Sequence, residues 1–227
     1  MKTKSILAAA AICTLPFTTA QAAVIDFTEG PTGSPALSGS ILGLDYVVTG
    51  SPSAPNNNEG FGGAAPTNSL GLDFVADGFG VDNDEITATS DSITVSFFEA
   101  GTNNLVEVVL QAFAFLDLFP NSNGSGETGI VTASGGGTDS VSFDAGANGG
   151  YAELTGLTLI GSSFVFTSGL TNDNAGQADG ALAGIDVVLR PDIVGEPNPV
   201  PLPAAGWMLL AGVGGMTIVG RRRKSKE

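Results

Sequence analysis

The chain has 227 residues, 42% of them hydrophobic and only 14% charged, with 33 Gly and a formal net charge of −15. It has no His and one Cys, Cys13, which excludes Ser-His-Asp and Cys-His catalysis, zinc sites with His or Cys ligands, c-type haem attachment and disulfides. Between residues 23 and 200 one basic residue, Arg190, stands against 22 acidic ones; such a surface repels phosphate backbones, so no nucleic-acid partner is expected.

The first segment reads as a secretory signal peptide, residues 1–22. Lys2 and Lys4 form a positive start, residues 5–15 a short apolar stretch, and Pro16 ends it. Ala20, Gln21 and Ala22 make a small-x-small cleavage site for signal peptidase, and the mature chain is expected to begin at Ala23. The apolar run is too short to span a bilayer on its own.

Residues 23–190 read as one acidic all-β domain, an antiparallel β-sandwich or jelly roll. Expected strands cover residues 24–27, 42–48, 70–75, 129–133, 157–160, 163–167 and 185–189. Residues 92–97 alternate with period two and put Ile93, Val95 and Phe97 on one face. Residues 139–143 repeat the pattern with Val141 and Phe143 inward. The longer apolar run at 105–118 reads as a central strand with a bulge, buried on both faces, with Val109, Phe113 and Phe115 on one side. Turn signals fall at Ala100-Gly101, Asn123-Gly124, Gly135-Gly136-Gly137 and Asn148-Gly149-Gly150. Residues 50–68, polar and rich in Pro and Gly, read as a long loop that is mobile or shapes a surface site.

Asp82, Asp84 and Glu85, with Asp77 just before them, form the densest carboxylate cluster. Hard oxygen ligands close together on a Gly-rich turn suit Ca²⁺, the cofactor considered for this chain. A second candidate is Asn172, Asp173 and Asn174 with Asp179. The plain alternative is that Asp and Asn are good turn residues and acidic loops keep a chain soluble. Glu99, Glu107, Asp117, Glu127 and Glu153 are candidates for two-carboxylate glycoside hydrolysis by residue type alone. Asp117, inside an apolar run, is the one expected to have a raised pKa. No spacing selects a pair, so no enzyme is expected. The aromatic platforms that many sugar-binding modules use are scarce: the domain has no Trp and two Tyr, with Tyr46 expected in the core and Tyr151 at a strand start.

A Pro-rich linker at 191–199 leads to the final segment, 200–227. Residues 202–219 are 18 uncharged residues, enough at about 1.5 Å each to cross a bilayer core as a helix. Trp207 sits near its outer edge, and Arg221, Arg222, Arg223 and Lys224 follow, so the basic end is expected in the cytoplasm and the body outside it.

This order of motif, short Gly-rich span and Arg cluster resembles the PEP-CTERM class of bacterial sorting tails. Val200, Pro201, Leu202, Pro203 and Ala204 are similar to its VPLPA variant; Pro201 stands where the better-known variant has Glu. The resemblance covers about the last 30 residues. Residues 78–86 and 181–188 also resemble segments in the bodies of such proteins. The likeness implies recognition by an exosortase, a transient inner-membrane anchor, and delivery to the cell envelope or extracellular matrix of a Gram-negative bacterium. It implies a structural or adhesive role in biofilm or exopolysaccharide. The alternatives are a Ca²⁺-dependent carbohydrate-binding module and a small glycoside hydrolase.

Overall fold

The structure, a computed structural model, describes residues 22–81, 85–87, 91–118, 126–142, 150–170 and 180–190. They form ten strands and no helix. The strands are β1 (Ala22–Asp26), β2 (Ser38–Ile41), β3 (Leu44–Ser51), β4 (Ser92–Glu99), β5 (Val108–Leu116), β6 (Glu127–Ala133), β7 (Thr138–Ser142), β8 (Ala152–Gly161), β9 (Ser163–Leu170) and β10 (Ala181–Leu189). One sheet has the order β1-β10-β5-β8 and the other β2-β3-β4-β9-β6-β7, and neighbours in both are antiparallel.

The two sheets share one core, giving a sandwich-like body. Ile93, Val95 and Phe97 of β4 are fully buried, as their alternation predicts, and Val141 of β7 is buried with them. They meet Phe113 and Phe115 of β5 and Ile185 and Val187 of β10 from the other sheet. The Phe166 ring of β9 lies 5.9 Å from Phe113 and 6.5 Å from Phe115, a tilted contact that ties the sheets together. The chain changes sheet at Ser162, between β8 and β9. There the Ser162 carbonyl accepts from Phe97 N at 2.9 Å, and Ser162 N donates to Ser134 Oγ at 3.0 Å.

The long loop after β3 is a third layer. Asn56 and Gly80 exchange backbone hydrogen bonds at 2.9 and 3.1 Å, and Phe61 N donates to the Val75 carbonyl at 3.3 Å. The resulting arm lays Leu70, Leu72 and Phe74 on the outer face of the four-stranded sheet, over Ala112, Ala114, Leu116, Ala181 and Ala183. Small side chains on that face make room for the arm: a Cβ on Gly184 would lie 2.6 Å from the Leu72 side chain. The end of β1 fixes the arm. Asp26 accepts from Asp73 N at 2.8 Å, and Thr28 accepts from Phe74 N through its hydroxyl at 2.9 Å and from Ala76 N through its carbonyl at 2.9 Å. These bonds satisfy donors that would otherwise be buried without a ladder, and they hold Phe74 at φ 52°.

Five expectations need correction; the first is the strand expected at 42–48, which begins at Leu44 because Leu42 and Gly43 form the turn before it. Residues 70–75 are not a strand; they are apolar because they cover a sheet, and their backbone donors go to Asp26 and Thr28. Leu105 belongs to the apolar run but is 56% exposed, because β5 begins at Val108. Within β5, Val108 and Leu110 face the shared core together with Phe113 and Phe115, whereas Val109 does not join that core. The bulge causes this: the register shifts between Leu110 and Ala112 on both neighbours, and the extra residue, Gln111, reverses the phase. Tyr46 is half-buried, packed against the core's edge. β2 was not expected; it joins β3 through Leu42 and Gly43, at φ 55° and 77°, a two-residue turn of the type that suits hairpin twist. Of the expected turns, Ala100-Gly101 and Gly135-Gly136-Gly137 follow β4 and β6, with Gly101 and Gly136 at positive φ. Asn123-Gly124 and Asn148-Gly149 lie outside the described residues.

Gly78 is the glycine the arm depends on. It sits at φ 88°, and a Cβ there would lie 2.8 Å from the Leu182 backbone oxygen. Phe79 beside it exchanges two backbone bonds of 2.9 Å with Leu182, so neither side can yield. Gly78→Ala is expected to cost about 2 kcal/mol or more, from the positive φ together with the clash. Thermal melting checks it: an unchanged midpoint would show that the arm docks loosely.

Candidate functional site

Carboxylates converge at one end of the body. Glu59 and Asp77 lie opposite each other in the arm, beside the isolated bridge of Gly60 with Ala76, and Asp77 N donates to the Glu59 carbonyl at 3.2 Å. Asp117 follows β5 and sits at φ 59°, a left-handed position that Asp tolerates. Its side chain hydrogen-bonds to that of Asp77, with Glu85 and Glu59 close enough to act on it electrostatically. Burial is the main cause, and the negative charge of Asp77 the next, that pushes the Asp117 carboxyl up to about 8. Near neutral pH the Asp77–Asp117 pair therefore holds a proton between its two carboxyls.

This geometry limits the chemistry. A direct carboxyl–carboxylate hydrogen bond puts the oxygens about 2.5–3.0 Å apart. Glycosidase pairs stand about 5 Å apart or more to leave room for the sugar or a water.

The other carboxylates do not join it. Glu99 accepts from Asn104 Nδ2 at 3.1 Å on the β4 turn, and Glu107 is exposed. Glu127 is buried at the start of β6. Glu153 accepts from the Tyr151 hydroxyl at 2.6 Å and from Ser69 N at 3.0 Å. Burial alone would raise the Glu153 carboxyl, but those hydrogen bonds outweigh it and hold the group below its usual range. Tyr151 is itself buried beneath the arm, with its ring 5.5 Å from Phe74 and edge-on to it. Burial first, and the bond to Glu153 second, push its hydroxyl pKa up. Tyr151 does precede β8, but as a packed side chain and not as a platform.

Of the expected Ca²⁺ ligands, Glu85 is described and belongs to this acidic end, its carbonyl accepting from Val81 N at 2.9 Å. Asp82 and Asp84 lie outside the described residues, as do Asn172, Asp173, Asn174 and Asp179. Among the described residues no group of three or more acidic side chains is arranged to hold a metal ion. Ala22 and Ala23 of the cleavage site open β1, paired with Val188 and Val187, so cutting after Ala22 leaves residues 23–26 of that strand in place. Ala20 and the sorting motif Val200, Pro201, Leu202, Pro203 and Ala204 lie outside the described residues, together with the expected membrane span.

Glu59 is the member of the acidic end that residue-by-residue reading missed. Its only signal is distant: it lies in a polar loop and reaches Asp117 because the arm folds back on itself. No family model, curated protein or solved structure matches the chain.

Proposed function

We propose that this is an exported surface or extracellular-matrix protein, sorted by an exosortase and structural or adhesive in biofilm or exopolysaccharide. In this reading a signal peptide delivers the chain across the cytoplasmic membrane. A C-terminal transmembrane helix then holds it there until the tail is processed. The observation that carries the reading is the three-part order at the end of the sequence: Val200 to Ala204, an uncharged span, then Arg221, Arg222, Arg223 and Lys224. The body suits the role. It contains no Cys, so its folding is independent of the redox state of its compartment. Its acidic surface favours solubility outside the cell.

Intact mass of the protein from its native cells, fraction by fraction, tests the proposal. A form lacking residues 1–22 and everything beyond the Val200–Ala204 motif is expected in the outer surface or matrix. A form that keeps Trp207 and the basic end, confined to the inner membrane, would sink it and leave a tethered domain.

A further inference from the structure

β1 and β2 are outer strands of different sheets, and residues 27–37 carry the chain from one to the other. This connection walls a pocket of about 320 Å³, at the lower end of the size range of small-molecule sites. Two backbone bonds fix the connection: Gly33 N donates to the Asn57 carbonyl at 2.9 Å, and the Leu37 carbonyl accepts from Val48 N at 2.8 Å. Phe27 and Phe79, whose ring centroids lie 4.9 Å apart, close the floor and belong to the shared core. Above them the pocket faces water: Glu29 and Ser34 are exposed, and Asp26 and Tyr46 are half-buried.

Tyr46 is held in place by a glycine. Its ring lies on Gly39 of the neighbouring β2, where a Cβ would come within 2.6 Å of the hydroxyl oxygen. Burial first, and the charge of Glu29 second, push the Tyr46 hydroxyl pKa up, so the Glu29 carboxylate stands near the phenol. Neither side chain has a hydrogen-bond partner among the described residues.

The lining selects among ligands. It contains no basic side chain, so an anion finds no partner. Arg190, the one basic residue between 23 and 200, lies beyond the far end of the β1–β10 pair, where Ala22 meets Val188, whereas Asp26 meets Gly184. A bare metal ion is poorly served. Asp26 already accepts from Thr28 N at 2.7 Å, Thr28 Oγ1 at 2.6 Å and Asp73 N at 2.8 Å, which leaves Glu29 as the lining carboxylate with nothing bound. A primary ammonium has three donors and an alkyl stem. Its donors suit the Glu29 carboxylate and the Tyr46 hydroxyl oxygen, its stem suits the apolar floor, and the phenol ring attracts its charge. We propose that the pocket walled by Asp26, Glu29, Ser34 and Tyr46 binds a primary alkylammonium group, with Glu29 as its counter-ion. Neither the sorting tail nor its processing enters into this binding.

The test is calorimetric titration of the full chain in an uncharged detergent at neutral pH, at about 0.15 M sodium chloride so that unspecific attraction to the acidic surface is screened. The probes are n-butylamine, Nα-acetyl-lysine amide and tetramethylammonium. Both primary amines are expected to bind saturably at one site per chain, and tetramethylammonium, which has no donor, at least tenfold more weakly. The tighter of the two amines names the source, a free amine or the lysine side chain of a protein. Glu29→Gln should weaken butylamine tenfold or more, and Tyr46→Phe threefold or more. Glu107→Gln, the same change of charge beside the start of β5, should leave it unchanged. Glu29 is exposed and Tyr46→Phe keeps the ring on Gly39, so both variants are expected to fold. Four results would overturn the inference: no saturable binding of either amine, tetramethylammonium binding as tightly as butylamine, equal losses for Glu29→Gln and Glu107→Gln, or indifference to Tyr46→Phe. The intact-mass experiment reads independently, so a correctly processed protein that binds no amine would refute the pocket and leave the sorting proposal standing.

Discussion

Stability of the body is expected to fall as pH rises from about 5 to 8, and Asp117→Asn is expected to abolish most of that fall. The unfolded carboxyl ionises near 3.8, whereas in the fold it keeps its proton to about 8. Between those values the native state binds a proton that the unfolded state has lost, so folding takes one up and raising pH works against it. The contribution is complete below the lower value and gone above the upper one. At about 1.4 kcal/mol per pH unit, the part lost between pH 5 and 8 amounts to roughly 4 kcal/mol. Glu59, Asp77 and Glu85 all face Asp117 and all act in the same direction. An Asn amide donates to Asp77 without ever ionising, so the variant should be the more stable protein at pH 8. Urea midpoints at pH 5, 6.5 and 8 decide the matter, and parallel curves for the two proteins would refute the shared-proton geometry.

Phe113→Ala should cost about 3–5 kcal/mol, enough to unfold a marginal domain. Phe113 is fully buried and touches both Phe115 on its own strand and Phe166 on the opposite sheet. Its removal opens a cavity between two sheets that cannot close without shifting one against the other. Leu105→Ala, in the same apolar run, should change stability by less than about 0.5 kcal/mol, because that side chain is already in solvent. Denaturant unfolding of the pair separates the buried strand from its exposed approach; equal effects would contradict the position of the strand start.

The reading from sequence succeeded where burial is one-sided and regular. β4 and β9 alternate cleanly because one face meets the core, and Asp117 stood out because a carboxylate at the end of an apolar strand must lie near its buried surface. It failed where burial has another cause. Leu70, Leu72 and Phe74 are apolar in order to cover a sheet, and nothing local separates that from joining one. β2, with sequence SGSI, is a half-exposed edge strand with little apolar signal, and Leu42 is an unusual residue for a turn at positive φ. A bulge in the 105–118 run was expected and is present, but its position at Gln111 leaves no mark in composition, and that position decides which β5 residues share a face. Asp186 reads as the ordinary polar member of an alternating strand. Only the register of its neighbours shows that it borders an opening. The acidic end was half visible for the same reason: Asp77 and Glu85 are near in sequence, whereas Glu59 and Asp117 arrive through the path of the arm.

The position of β10 has a consequence for the order in which the molecule assembles. It is the last of the described strands in chain order, yet it lies inside its sheet, between β1 and β5. A chain that emerges N-terminus first, from a ribosome or across a membrane, presents β1 while its partner does not yet exist. Closing so long a loop adds little free energy, since that cost grows only with the logarithm of length. The delay is therefore kinetic, as it is for other folds of high contact order. Until residues 181–189 arrive, β1 has no neighbour and β5 has only β8. The four-stranded sheet thus cannot be completed until residues 181–189 are delivered.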